Sequence, residues 1–193
     1  VFKKVLGLIG MGKIGSIVAD RARGLKMRVI VHDPYVAPEQ IEKAGFEAVS
    51  LAELFWRADY ITVHVPKLKD TVGLLNKAAF DQMKDGVMII NCARGGIVDE
   101  ADLNDALRSG KVAGAALDVF ENEPEMAPGL DQLDNVVIVP HIASATRWTR
   151  EGMATLAAAN VAGLLMGYPV WNRPGILSFL EGDLPAVAPS ILH

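Results

Sequence analysis

The stretch Val5-Leu6-Gly7-Leu8-Ile9-Gly10-Met11-Gly12-Lys13-Ile14-Gly15 constrains this chain more than any other. An apolar run ends in Gly10-x-Gly12-x-x-Gly15, and a helix-compatible segment follows. A buried parallel strand that feeds a tight turn needs this order. Gly10 permits the turn, Gly12 leaves the backbone open to a pyrophosphate, and Gly15 lets the next helix pack closely on the strand. The helix N-terminus then presents N–H groups and a partial positive charge. Alone, the triplet also fits an ordinary glycine turn in an unrelated α/β protein. The next apolar run, Arg28-Val29-Ile30-Val31-His32, leads into Asp33, 18 residues beyond Gly15. That is close to the spacing of about 20 expected for a ribose-binding carboxylate. A carboxylate there accepts hydrogen bonds from ribose hydroxyls and repels a 2′-phosphate. No Arg stands in His32-Asp33-Pro34-Tyr35, so NAD is expected rather than NADP.

The same alternation of short apolar runs and helical segments continues along the chain. Strands are expected at Val5–Ile9, Met27–Val31, Glu47–Val49, Ala58–Pro66, Val87–Asn91, Val112–Val119 and Val136–Val139. Helices are expected at Lys13–Leu25, with Ile14, Ile17, Val18, Ala22 and Leu25 on one side, and at Glu39–Ala44 behind Pro38. Ser50-Leu51-Ala52-Glu53 has the capping-box pattern and opens a helix through Trp56. Further helices are expected at Lys77–Met83, at Glu100–Ser109 between an Asp99 cap and Gly110, and at Thr146–Met166. Strands that alternate with helices imply βαβ units, hence an α/β fold with a doubly wound, mostly parallel sheet of Rossmann type and helices on both faces. Residues 1–168 read as one dinucleotide-binding domain with a long C-terminal helix over 146–168. Residues 169–193, with Pro169, Pro174, Pro185 and Pro189, read as an irregular arm.

Composition narrows the function classes. The chain is 51% hydrophobic with a formal net charge of −4 over 193 residues. That apolarity suits a sheet buried on both faces. Interspersed charges give no basic run for nucleic acid or an anionic membrane surface. No charge-free window reaches the roughly 18 residues of a membrane-spanning helix. The single cysteine, Cys92, leaves no internal disulfide framework, and four scattered histidines do not make a metal site. With no signal peptide visible, a cytoplasmic location is expected. The chain opens almost inside a strand and without Met, so the expectation is a part of a longer protein.

In this architecture ligands bind beyond the carboxyl ends of the strands. Polar groups recur there: the Gly10–Gly15 loop, Asp33, His64-Val65-Pro66, Arg94, Asp118 and His141. Arg94, on a turn before Gly95-Gly96, suits bidentate capture of a carboxylate, and equally reads as a surface arginine. His141 follows Pro140 and a buried strand; it could exchange a proton near neutrality or serve as a structural histidine. Glu123 lies in an acidic loop with Glu121 and Glu125, where it could partner the histidine or be merely solvated.

Six segments together resemble a known family. They are Gly10–Gly15, His32-Asp33-Pro34-Tyr35, His64-Val65-Pro66, Asn91–Glu100, Ala116–Pro124 and Pro140–Thr146. In this order they resemble the NAD-binding domain of the D-isomer-specific 2-hydroxyacid dehydrogenases, over roughly residues 3–168. The resemblance implies that Arg94 holds the substrate carboxylate and polarises the carbonyl. It implies that His141 is the acid/base, Glu123 its hydrogen-bonded partner, and Asp118 the residue that orients the nicotinamide carboxamide. The implied cofactor contacts are Gly10, Gly12, Lys13, Ile14, Gly15, Asp33, Pro34, His64, Val65, Pro66, Thr71, Cys92, Ala93, Arg94, Asp118, His141 and Ser144. The implied partner is a small 2-oxo or 2-hydroxy acid.

Two departures from the family pattern matter. Members carry a substrate domain built largely from residues before the first Rossmann strand, so this chain alone is expected to bind NAD but to turn over poorly, with 169–193 a remnant of that domain. In addition, residues up to Pro124 look most like phosphoglycerate dehydrogenases. Ile142–Met153 and Tyr168-Pro169-Val170-Trp171 look like hydroxypyruvate (glycerate) reductases, so hydroxypyruvate or glyoxylate is the favoured substrate. An NAD(H)-sensing corepressor-like binding module is the alternative from a different class. Apolar residues of the last helix, Trp148, Met153, Leu156, Val161, Leu164 and Leu165, with Trp171, Ile176, Leu177 and Phe179 beyond it, suggest a homodimer.

Overall fold

The computed structural model describes residues 1–167. They divide into a first unit, Val1–Ile142, and a second that begins at Ala143. The first unit holds strands β1 (Val5–Ile9), β2 (Arg28–His32), β3 (Glu47–Ala48), β4 (Tyr60–Val63), β5 (Val87–Asn91), β6 (Val112–Leu117) and β7 (Val136–Ile138). Between them lie helices α1 (Lys13–Gly24), α2 (Pro38–Lys43), α3 (Leu51–Arg57), α4 (Lys77–Gln82) and α5 (Glu100–Ser109). The sheet order is β3-β2-β1-β4-β5-β6-β7. Every pairing is parallel, so the expected mostly parallel sheet is wholly parallel among the described residues.

Pleating sends alternate residues to opposite faces. Leu6, Leu8, Val29 and Val31 join Ala19 and Ala22 of α1 and Ile41 of α2 in one buried cluster. Ile9, Ile30, Ile61, Val63 and Ile89 join Leu54, Phe80 and Leu103 of α3, α4 and α5 in the other. Helices therefore cover both faces, and the strand order reverses direction between β1 and β4. Leu8, Ile30, Ile61, Ile89 and Phe80 are essentially inaccessible. Each such side chain contributes about 1.5–3 kcal/mol through burial.

Local signals behave as their chemistry requires. The Asp99 side chain accepts the Asp102 N–H, and Gly110 closes α5 in the left-handed conformation. Ser50 caps α3 by accepting the Glu53 N–H. The reciprocal half of that capping box is absent, because the Glu53 carboxylate accepts from Arg57 at 2.6 Å instead. Arg57 also pairs with Glu47, whose carboxyl it holds down at about 2. Strands β4 and β6 end earlier than expected, at Val63 and Leu117, because their last residues bend into the loops that carry His64 and Asp118.

The face of α1 corrects the sequence reading. Its buried residues are Gly15, Ala19 and Ala22, while Ile14, Ile17 and Leu25 are more than half exposed. The cause is the close approach that the glycine triplet imposes. A Cβ on Gly15 would sit 2.0 Å from the Gly10 carbonyl oxygen and 3.3 Å from Leu8. Only small side chains fit along a helix held at that distance.

In the second unit, α6 (Arg147–Leu165) is capped by Thr146, which accepts the Thr149 N–H. It has no buried residue, and Trp148, Met153, Val161, Leu164 and Leu165 are exposed. The expected arm over 169–193, with Trp171, Ile176, Leu177 and Phe179, lies outside the described residues. No helix among the described residues is long and apolar enough to cross a membrane.

Gly15→Ala is expected to destabilise the chain by about 1–3 kcal/mol, the cost of forcing a methyl into a closed contact. Asp99→Ala is expected to cost about 1 kcal/mol through loss of a cap. Urea denaturation of both variants beside the wild type measures each.

Candidate active site

Because all strands are parallel, the loops after β1, β2, β4, β5, β6 and β7 emerge at one edge. Gly10 turns the chain there with φ +94°, a conformation that L side chains rarely adopt. Its N–H donates to the His32 carbonyl at 2.9 Å. Gly12 is the N-cap of α1, no side chain caps that helix, and no acid stands in its first turn. A Cβ on Gly12 would meet nothing within 4 Å. The backbone is thus open on the side where an anion is drawn to the helix end.

Asp33 closes the other side of this loop. Its Oδ2 accepts the Met11 N–H at 2.7 Å, and its Oδ1 accepts the Tyr35 N–H at 2.8 Å. A carboxylate has about four acceptor positions, so two remain for ribose hydroxyls. The sequence suggested only the ribose role; Asp33 also ties the glycine loop to the end of β2. Beside it lies a cavity of about 520 Å³ lined by Val31, Asp33, Pro34, Ile41 and Val49 among others. Its mainly apolar walls and size suit a nucleoside base. Lys13 and Ile14 begin α1 with their side chains exposed.

Beyond β4, the Thr62 hydroxyl and His64 Nε2 are 3.0 Å apart. Burial lowers the His64 pKa and favours the neutral ring. Val65 and the His64 backbone press on Gly10, where a Cβ would come within 2.9 Å of them. Thr71 closes the following loop: its hydroxyl donates to the Pro66 carbonyl at 2.6 Å and accepts the Leu68 N–H at 2.7 Å.

Beyond β5, buried Asn91 builds the turn that carries Arg94. Its Nδ2 donates to the Arg94 carbonyl and its Oδ1 accepts the Ala93 N–H, both at 3.0 Å. This role escaped the sequence reading, although an Asn that bonds its own backbone two residues on is a turn signal. The Arg94 guanidinium is exposed and donates only to the Ala93 carbonyl in this turn. Cys92 is exposed as a residue, yet burial of its thiol and the charge of Asp118 push its pKa up, so it stays a thiol. A Cβ on Gly95 would lie 1.6 Å from the Phe120 carbonyl oxygen, so the Arg94 turn rests directly on the loop after β6.

That loop supplies Glu123. Glu123 Oε1 accepts the Phe120 N–H at 3.2 Å, and His141 Nδ1 donates to Glu123 Oε2 at 2.9 Å. The hydrogen bond from His141 lowers the Glu123 pKa most. The Phe120 N–H and the positive charges of His141 and Arg94 act in the same direction. An ionised carboxylate can only accept, so the Nδ1 proton is fixed and Nε2 is left to exchange one. His141 itself adopts φ +51°. Its N–H donates to the Val139 carbonyl, and Asp118, almost fully buried, accepts the following Ile142 N–H at 2.6 Å. These bonds hold a backbone conformation that costs a non-glycine residue about 1–3 kcal/mol.

The structure thus brings Arg94, Glu123 and His141 together on neighbouring loops, with the glycine loop and Asp33 further along the same edge. Ser144 falls in the second unit, ahead of the Thr146 cap. Among the described residues no group of three or more His, Cys, Asp or Glu is placed to hold a metal.

Residues 1–143 match the family model for the D-isomer specific 2-hydroxyacid dehydrogenase, NAD binding domain. The chain belongs to this family. It is 44% identical over 187 residues to a D-3-phosphoglycerate dehydrogenase of Archaeoglobus fulgidus, covering 96% of this chain and 36% of that protein. It is 43% identical over 210 residues to a glycerate dehydrogenase of Cucumis sativus, covering 98% and 55%. The crystal structure of a glyoxylate reductase from Paecilomyes thermophila superposes with a TM-score of 0.79 at 39% identity, over 84% of this chain and 49% of that one. The chain therefore spans between a third and a little over half of the proteins it resembles. The chain is thus an NAD-binding domain, with an open Gly12, an uncapped α1 and Asp33 beside a cavity at the carboxyl edge of its sheet.

The lowered Glu123 pKa predicts a pH effect with a definite sign. A carboxyl held below its unfolded value of 4.5 stabilises the fold above that pH, and the contribution is lost as pH falls through the lowered value. The melting temperature of wild type minus that of Glu123→Gln is expected to shrink as the pH falls below about 4.5. Thermal melts of both across pH 3–7 measure this.

Proposed function

We propose that this chain is the cofactor-binding half of an NAD-dependent D-2-hydroxyacid dehydrogenase, with Arg94, Glu123 and His141 as its chemical centre. The 2.9 Å bond between His141 Nδ1 and Glu123 Oε2, beside the exposed Arg94, carries the reading. NAD, when bound, supplies the acceptor or donor of a hydride at nicotinamide C4. Arg94 pairs with the substrate carboxylate and aligns the 2-oxo group. His141 Nε2 gives a proton to the carbonyl oxygen as C2 is reduced, and takes it back from the hydroxyl in the reverse direction. Glu123 stabilises the imidazolium and keeps the ring oriented. Asp118 holds the backbone beside His141, and its position after β6 suits a role toward the carboxamide. Gly12, the start of α1 and Asp33 take the pyrophosphate and ribose.

Among 2-oxo acids, hydroxypyruvate and glyoxylate are the favoured substrates. The Ile142–Met153 segment and the 43% identity to a glycerate dehydrogenase over 98% of the chain support this. The 44% identity to a D-3-phosphoglycerate dehydrogenase supports 3-phosphoglycerate as the second reading.

NADH fluorescence titration tests the cofactor site. Saturable NADH binding is expected, with NADPH at least tenfold weaker. Asp33→Ala should weaken NADH as well as erase the discrimination, because the Met11 brace goes with it. The chemistry is tested with this chain joined to a substrate domain of a relative. Arg94→Ala and His141→Gln are each expected to lower kcat/KM by about 100-fold or more. Hydroxypyruvate should exceed 3-phosphohydroxypyruvate as substrate; the reverse preference selects the second reading. Unaltered turnover in both variants would overturn the assignment of the site.

A further inference from the structure

Glu100 is a carboxylate where a folded core has no need of one. It is the first residue of α5 and only 4% exposed. A buried acid is expensive unless its oxygens are bonded. Its partners are three backbone contacts with one loop. Glu100 Oε1 accepts the Glu121 N–H, Oε2 accepts the Ala127 N–H at 2.7 Å, and Glu121 Oε1 returns a bond by accepting the Glu100 N–H at 2.9 Å. The α5 N-terminus adds a favourable local field.

The two clamped N–H groups stand on either side of Glu123. Within the clamp, the Glu125 N–H donates to the Asn122 carbonyl at 3.0 Å, which folds residues 122–125 into a turn with Glu123 in it. Phe120, next to the first clamped residue, is the one whose N–H holds Glu123 Oε1 and whose carbonyl bears on Gly95. The position of Glu123 opposite His141 therefore depends on the clamp. So does the spacing between the Glu123 loop and the Arg94 turn.

We propose that Glu100 is a positioning residue for the acid–base pair: it fixes both flanks of the Glu123 loop so that Glu123 Oε2 meets His141 Nδ1. This rests on the dehydrogenase reading for its consequence, but its geometry is testable without turnover. Glu100→Gln keeps the shape and replaces one acceptor by a donor that faces a backbone N–H.

The test is a ¹³C NMR titration of the Glu123 carboxyl in the 193-residue chain. His141→Gln provides the reference, since it removes the strongest influence on that carboxyl. The Glu123 midpoint is expected to rise in Glu100→Gln by at least half of the rise seen in His141→Gln. The double variant should show no further rise. Leu103→Ala, at a fully buried α5 residue of the apolar core, should lower the melting temperature and leave the midpoint where it is. If Glu100→Gln does not fold, Glu100→Asp, which retains both acceptors one methylene back, is expected to raise the midpoint by a smaller amount. A midpoint unmoved in whichever Glu100 variant folds overturns the proposal, because Glu100 would then be structural only. NADH titration of the same samples keeps the two readings apart. Wild type that fails to bind NADH defeats the function proposed above without touching the clamp.

Discussion

The carboxyl edge of the sheet is held together by acids that accept backbone N–H groups. Asp33 accepts from Met11, Asp118 from Ile142, Glu100 from Glu121 and Ala127, and Glu123 from Phe120. Each bond joins the end of one element to a loop from elsewhere in the chain, or closes a loop on itself. The pattern follows from the fold. A seven-stranded parallel sheet brings seven loops to one edge, and a loop has no ladder in which to pair its N–H groups. Water could satisfy those groups, but would leave them mobile. A carboxylate satisfies them and gives a charge-assisted bond about twice as strong as a neutral one.

Among the described residues neither Asp33 nor Glu100 forms a side-chain ion pair, whereas Glu123 pairs with His141 and lies near Arg94. The other arginines and lysines of the first unit pair mainly elsewhere. Arg57 and Arg28 are spent on Glu47, Lys84 on Asp59 and Lys111 on Asp85. Arg94 remains exposed at the edge, its guanidinium donating to the Ala93 carbonyl and its charge acting on Glu123.

Much of the fold was legible because the signals were chemical rather than statistical. The glycine triplet, the Asp99 cap, the Gly110 stop and the strand-ending acids each predict a local geometry that is present. What was misread depended on distance between elements. Ile14, Ile17 and Leu25 share one side of α1, yet Gly15 implies a helix too close to the sheet for large side chains, and the three are exposed. Arg94, Glu123 and His141 were named by resemblance, while their residue types and spacing left each open. Nothing local says that Glu123 and His141, 18 residues apart, meet at 2.9 Å. Glu100 and Asn91 were missed as supports because their work is done on backbone atoms of other residues, and Glu100 looked like one more first-turn acid of a capped helix.

The division of labour within the pair follows from its surroundings. Glu123 receives two hydrogen bonds and lies near two positive groups, all of which favour its anion. The bond to Nδ1 leaves Nε2 as the ring nitrogen open to another partner. Moving Glu123 away would leave the ring free to rotate and to change tautomer, with no acid ready to meet the imidazolium. A backbone at φ +51° flanked by two anchoring bonds keeps the ring where it is. The orientation of one imidazole thus draws on β6, β7 and α5 together, through the acids that hold their loops.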